Sequence, residues 1–159
     1  MATESGLIEI TSPAAEGYGL PNIPSYIEAA PEDPVHYPLQ LITPHHKLRA
    51  NSVGYGNGWL QRLEPHAAWI NAQDAQAHGI AQDDLVIVSS AYGRIRIRAK
   101  VTERIMPGVV CVYQGTWFRA DADGTDIGGC ANALTGHRAS PTGGFATHTE
   151  WVAIERYQV

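Results

Sequence analysis

Arg94 to Thr102 alternates without a break. Ile95, Ile97, Ala99 and Val101 fall on one side, and Arg94, Arg96, Arg98 and Lys100 on the other. A period of two predicts a strand with one face on a core and the other in solvent. The basic face has the charge to hold phosphates, but a solvated sheet face is the simpler reading. Shorter apolar runs predict five more strands: Leu39 to Thr43, Ala67 to Ile70, Leu85 to Val88, Val109 to Tyr113 and Thr149 to Arg156. Tyr92-Gly93 and Met106-Pro107-Gly108 read as turns. Ala72 to His78 is rich in helix formers, with Asn71 placed to cap its start and Gly79 to end it. Many short strands, one or two short helices and long polar loops predict a mainly β chain, and a small barrel over a sandwich.

The N-terminal part lacks this order. Seven of the ten prolines lie between Pro13 and Pro44, and Ser12 to Tyr37 shows no steady periodicity. This predicts an extended arm or linker, preceded by one short strand at Leu7 to Ile10. The expected division is 1–36 as arm and 37–159 as barrel. Tyr55-Gly56-Asn57-Gly58 reads as a flexible turn.

Composition narrows the function classes. The chain has 159 residues, 44% of them hydrophobic, and a formal charge of −5. With no block of Lys and Arg, it lacks the concentrated field that nucleic acids or anionic membranes require. No apolar run approaches the roughly 20 residues of a membrane span, and MATESGLIEI does not read as a signal peptide. A soluble domain with no nucleic-acid partner and no direct membrane insertion is expected. Cys111 and Cys130 form no CxxC or CxH pattern, so neither zinc nor an iron–sulfur cluster is expected on them.

Three polar segments follow strands: 43–52, 114–117 and 128–148. Ser52, Ser140, His45 and Asp126 offer the side chains of a hydrolase triad, but no GxSxG elbow supports one. His45, His46, His66, His78, His137 and His148 show no HExxH or HxH spacing. No phosphate-binding glycine motif is present. What remains is a set of neutral donors and acceptors with a little positive charge: Asn51, Asn132, Gln114, Thr135, Thr147, His45, His148 and Arg49. Amides match pterin or purine edges, and an Arg fork suits a pyrophosphate or carboxylate. The competing reading is that these groups cap loop backbone.

Six stretches in order carry a resemblance: LQLITPHHKLRANS (39–52), WINAQDAQAHGI (69–80), DDLVIVSSAYGRIRIRAKVTERIMPGVV (83–110), GTWF (115–118), GGCANALT (128–135) and ATHT (146–149). Together they resemble the C-terminal molybdopterin-dinucleotide-binding domain of the dimethyl sulfoxide reductase family of molybdenum oxidoreductases, nearest to dimethyl sulfoxide or selenate reductase catalytic subunits. The resemblance implies a double-psi β-barrel. It implies a bis(molybdopterin guanine dinucleotide) cofactor carrying molybdenum, or tungsten, completed by upstream domains of a bacterial or archaeal enzyme with its own Fe–S cluster. It implies those upstream domains as partners, with electron-transfer and membrane-anchor subunits beyond them, and a fragment inactive alone. It places Thr43, Pro44, His45, His46, Arg49 and Ser52 in a first cofactor loop and Gln114 and Trp117 in a second. Asn132 and Thr135 then lie beside a pterin, and Thr147 and His148 in the last loop. No catalytic residue or metal ligand is implied within this chain. Asn51 stands where many relatives have His, Asp83 where Gly is usual, and Phe145 where Asn is common. The alternative from another class is a double-psi barrel that binds a partner protein without cofactor.

Overall fold

The barrel strands form where the apolar runs predict them. The structure is a computed structural model that describes all residues except 1, 2, 4, 27, 29, 138, 140–143, 146 and 159. The strands are β1 (Leu39–Ile42), β2 (Ala68–Ile70), β3 (Leu85–Ser89), β4 (Arg94–Val101), β5 (Val109–Val112) and β6 (Glu150–Arg156). They close into a barrel in the order β1-β5-β2-β4-β3-β6. Two ladders are parallel, β1 with β5 and β2 with β4, and four are antiparallel. Exchanging β1, β2 and β3 with β4, β5 and β6 reproduces the same order, which is the internal two-fold of a double-psi barrel. Every ladder joins a strand of the first triplet to a strand of the second.

Alternation on β4 does what its sequence requires. Ile95, Ile97 and Ala99 are buried, while Arg94 and Arg98 are exposed. The inward faces of all six strands meet in one core, with Leu41, Ile70, Val86, Val88, Ile95, Val110, Val112, Val152 and Ile154 almost wholly enclosed. Each such side chain contributes roughly 1.5–3 kcal/mol by leaving water. Leu134, on a 3-10 turn at Ala131–Leu134, is also fully buried in that core. Cys111 is buried in β5, Cys130 sits in a loop, and both are free thiols. Burial pushes the Cys111 thiol up to about 12.

Three short helices are present: α1 (Pro13–Glu16), α2 (Gly58–Leu63) and α3 (Ala72–Ala77). Asn71 caps α3 as expected, accepting from Gln73 N at 2.8 Å, and its amide donates to Ile105 O at 2.7 Å. Helix α2 replaces the expected flexible turn, because Asn57 Oδ1 accepts from the backbone of Trp59 and Leu60 and starts a helix there. The expected strand at Leu7 to Ile10 does not form: these residues are exposed and pair with no ladder. Within the proline-rich segment, α1 makes one closed turn, with Leu20 N returning to Ala15 O. Asp83 adopts φ +65°, the left-handed region where the glycine of its relatives is at ease.

The chain divides into two compact units, 31–137 with 146–159, and 1–30 with 138–145. The first holds the whole barrel. No helix among the described residues is long and apolar enough to cross a membrane.

Candidate functional site: one end of the barrel

The pairing register fixes where the polar loops emerge. Leu41 lies opposite Glu150, Ile42 beside Cys111, Val112 opposite Ala68, and Ser89 opposite Arg94. The C-terminal ends of β1, β3 and β5 therefore share one end of the barrel with the N-terminal ends of β2, β4 and β6. Loops 43–57, 90–93, 113–130 and 147–149 all leave from that end.

Direct bonds tie these loops together. Gln114 N donates to Pro44 O at 3.1 Å. Its side-chain amide lies 2.9 and 3.1 Å from the two ring nitrogens of His45 and 3.4 Å from Asn51 Oδ1. Thr43 N donates to His148 Nδ1 at 3.0 Å, and Thr43 Oγ1 to Thr147 O at 3.1 Å. His148 Nδ1 is thus an acceptor, which leaves its proton on the exposed Nε2. Asn51 sits at φ +51°, a conformation Asn tolerates better than most residues. The Asn51 carbonyl packs directly on Gly115, itself at φ +89°.

The expected site residues divide accordingly. His45, Asn51, Gln114 and His148 form one connected polar group, and His45, Asn51 and His148 are exposed. Thr43 is buried and serves as the clamp between the first and last loops. Pro44 acts through its carbonyl, as does Ser52, whose O accepts from Tyr55 N at 3.2 Å. Trp117 is exposed and meets Tyr55 edge-on at 5.4 Å between ring centroids. Asn132 is exposed on the 3-10 turn, and Thr135 Oγ1 lies 3.5 Å from its carbonyl. Gly136 N donates to the buried Glu150 carboxylate at 3.1 Å, which binds the end of that turn to the start of β6.

His46 and Arg49 face away from that group, into a pit of about 270 Å3 lined also by Tyr55, Gln61, Glu64 and His66. His46 is buried and packs edge-on against Tyr113 at 4.9 Å. Its Nδ1 accepts from Leu48 N at 3.1 Å. Burial, with Arg49 nearby, holds the imidazole below the usual histidine range. Arg49 lies over the Tyr55 ring at 5.2 Å, and burial lowers its guanidinium from the usual value. Burial opposes ionisation of Glu64, but Lys47 at 2.8 Å and Lys100 at 3.6 Å outweigh it, so its carboxyl titrates lower than usual. Sequence reasoning missed Glu64, His66 and Tyr55, because no spacing rule links them to the first loop. Asn57 followed by Trp59, Leu60 and Leu63 was the available signal for the helix that positions Glu64.

His66 Nε2 lies 2.8 Å from Gly129 O, and a carbonyl only accepts, so this nitrogen carries the proton. Burial drives the His66 pKa down to about 4 from the ordinary 6.5. Between those values the unfolded chain binds a proton that the folded chain refuses. Stability is therefore complete above the unfolded value and is lost as pH falls toward the folded one, by about 3 kcal/mol. Urea unfolding across that range should show this slope, and His66→Gln should flatten it. An equal slope in both proteins would remove His66 as its source.

The hydrolase and metal readings do not hold here. Asp126 is fully enclosed, and its carboxylate accepts from the amides of Arg119, Gly128 and Cys130, so it is not free to orient a histidine. Ser140, the other expected triad member, lies outside the described residues. Asp121 Oδ1 accepts from Asp123 N and Thr125 N. Among the described residues no group of three His, Cys, Asp or Glu side chains is placed to hold a metal ion.

Comparison with known proteins agrees with this arrangement. The family model described as "Molydopterin dinucleotide binding domain" matches residues 39–151. The chain is 47% identical to the "Probable dimethyl sulfoxide reductase chain YnfF" of Escherichia coli (strain K12), a match covering 79% of this chain and 16% of that protein. It is 40% identical to the "Dimethyl sulfoxide reductase DmsA" of the same organism, over 98% of this chain and 21% of that protein. Acetylene hydratase from Pelobacter acetylenicus shares the fold, with a TM-score of 0.79 at 19% identity, over 99% of this chain and 24% of that one. The chain thus spans about one fifth of the length of these relatives. It belongs to the molybdopterin-dinucleotide-binding domains of the dimethyl sulfoxide reductase family.

Proposed function

We propose that the polar end of the barrel is a lid over the pterin part of a bis(molybdopterin guanine dinucleotide) cofactor. The carrying observation is the joining of the first, second and last loops through Gln114, His45, Asn51, Thr43 and His148. The residues fit such a guest. Gln114 and Asn51 each offer a donor and an acceptor, His148 offers an exposed N–H, and Asn132 adds a second amide on the neighbouring turn. Pterin edges alternate donors and acceptors in the same way. The bound group would supply the oxygen-atom and electron chemistry through molybdenum or tungsten. This chain's part is to orient the pterins and exclude water from one side.

Most of the remaining contacts belong to preceding domains of the same polypeptide, which also hold the metal ligand and an Fe–S cluster in this reading. Electron-transfer and membrane-anchor subunits would dock there as well. Residues 1–36 then form the connection to those domains, and 37–159 the binding barrel. The 159-residue chain alone is inactive and binds free cofactor weakly, because affinity depends on all the contacts being assembled together. In the full-length enzyme, Gln114→Ala and Asn132→Ala should each lower pterin and metal content along with turnover. Full cofactor content and unchanged rate in both variants would refute the lid.

A further inference from the structure

Three buried nitrogens at the pit beneath the first loop have no hydrogen-bond partner among the described residues: His46 Nε2, Arg49 Nη2 and His66 Nδ1. An unpaired buried polar group costs about 1–3 kcal/mol, so three around one cavity call for an occupant. Their protonation follows from their other bonds. His46 Nδ1 accepts from Leu48 N, so its Nε2 carries the hydrogen and donates. Arg49 Nη2 donates with a full positive charge. His66 donates from Nε2 to Gly129 O, so its Nδ1 presents a lone pair. The pit thus offers two donors, one of them cationic, and one acceptor.

The neighbouring charges favour an anion. Glu64 is already matched by Lys47 and Lys100, at 2.8 and 3.6 Å. The Tyr55 hydroxyl donates to Gly128 O at 3.3 Å, and the Gln61 amide donates to Tyr55 O, so neither competes for the space. A carboxylate would satisfy Arg49 and His46 but leave the His66 lone pair unanswered. A phosphate that keeps one O–H answers all three, with two oxygens accepting from Arg49 and His46 and the P–O–H donating to His66 Nδ1. The volume of about 270 Å3 leaves room for a substituent on the phosphate.

We infer that this pit is a binding site for a protonated phosphate, either the free ion or a monoester. The site goes beyond the pterin lid and does not require it. Sulfate has the same shape and charge class but no proton near neutral pH, and dimethyl phosphate has neither a second charge nor an O–H.

The test is a titration of the 159-residue chain with inorganic phosphate, sulfate and dimethyl phosphate, followed through the imidazole nitrogen shifts of His46 and His66. Phosphate should move both rings and bind about tenfold or more tightly than the other two, the weight of one hydrogen bond to a buried group. Methyl phosphate binding like phosphate would identify a monoester as the occupant, and phosphate alone the free ion. Arg49→Ala and His46→Leu should abolish the shifts. His46→Gln keeps a donor near the same place and should retain binding within a few fold, which separates loss of the site from loss of the fold. Equal binding of sulfate, or shifts confined to the exposed arginines of β4, would overturn the assignment. Failure here would leave the Gln114 and Asn132 experiment unaffected, and the reverse also holds.

Discussion

Asp126→Ala is expected to cost about 4 kcal/mol of folding stability, because three buried amides lose a charged acceptor at once. Arg119 N, at 2.7 Å, Gly128 N, at 2.9 Å, and Cys130 N all point at this one carboxylate. The backbone of Asp126 is equally committed: its N donates to Arg94 O at 3.1 Å, and its O accepts from Arg96 N at 2.8 Å. The residue therefore fastens the loop from Gln114 to Cys130 to the edge of β4 and sets its curvature from within. Urea unfolding gives the loss, and amide exchange gives its location. Residues 116–130 should exchange fast in the variant while β1 and β6 stay protected. A loss under 1 kcal/mol would mean that water replaces the carboxylate without strain.

The second large effect is at Gly115, where Gly115→Ala should cost about 3 kcal/mol and separate the first two loops. The residue is at φ +89°, and a methyl group there would overlap the Asn51 carbonyl and carbon. Backbone strain and overlap add, since neither loop can yield without moving the other. Gly124 supplies the control: its φ is +77°, and a methyl group would meet nothing within 4 Å. Gly124→Ala should therefore show the strain alone, about 1 kcal/mol. The excess at Gly115 measures the contact. The Gln114 side-chain amide resonances should also shift in Gly115→Ala, as its bonds to His45 and Asn51 open. Equal losses at Gly115 and Gly124 would show that the loops do not press on each other.

The barrel was legible in the sequence because its signal is local. Each strand carries an apolar run or an alternation, and β4 declares both faces in eight residues. Helix α3 was legible because Asn71 and Gly79 bracket it. Helix α2 was hidden by the glycines on either side of Asn57, which suggest a turn until the Asn57 carboxamide is seen capping Trp59 and Leu60. Leu7 to Ile10 looked like a strand by propensity, but a strand needs a partner and the barrel closes without one. The first-loop contacts of Gln114 and His45 followed from resemblance, not from spacing, since 69 residues separate the pair. Asp126 could not be recognised as a fastener because its partners are backbone amides, which leave no trace in side-chain pattern. The pit escaped for a similar reason. Its chemistry depends on which nitrogen of His46 and of His66 is already engaged, and only three-dimensional neighbours decide that.

The internal two-fold of the barrel also bears on how a ribosome can deliver it. No strand of the first triplet pairs with another of that triplet, so a nascent chain ending before Arg94 has apolar strands and no ladder to put them in. The β3–β4 hairpin is the first pairing available, and β2 can join it along β4. β1 must wait for β5, some seventy residues after its own emergence, and closure waits for the final β6. Such late, long-range pairing makes folding slow. Until the last strand is released, Leu39 and Leu41 travel uncovered, and that interval is when the newborn domain depends most on chaperones.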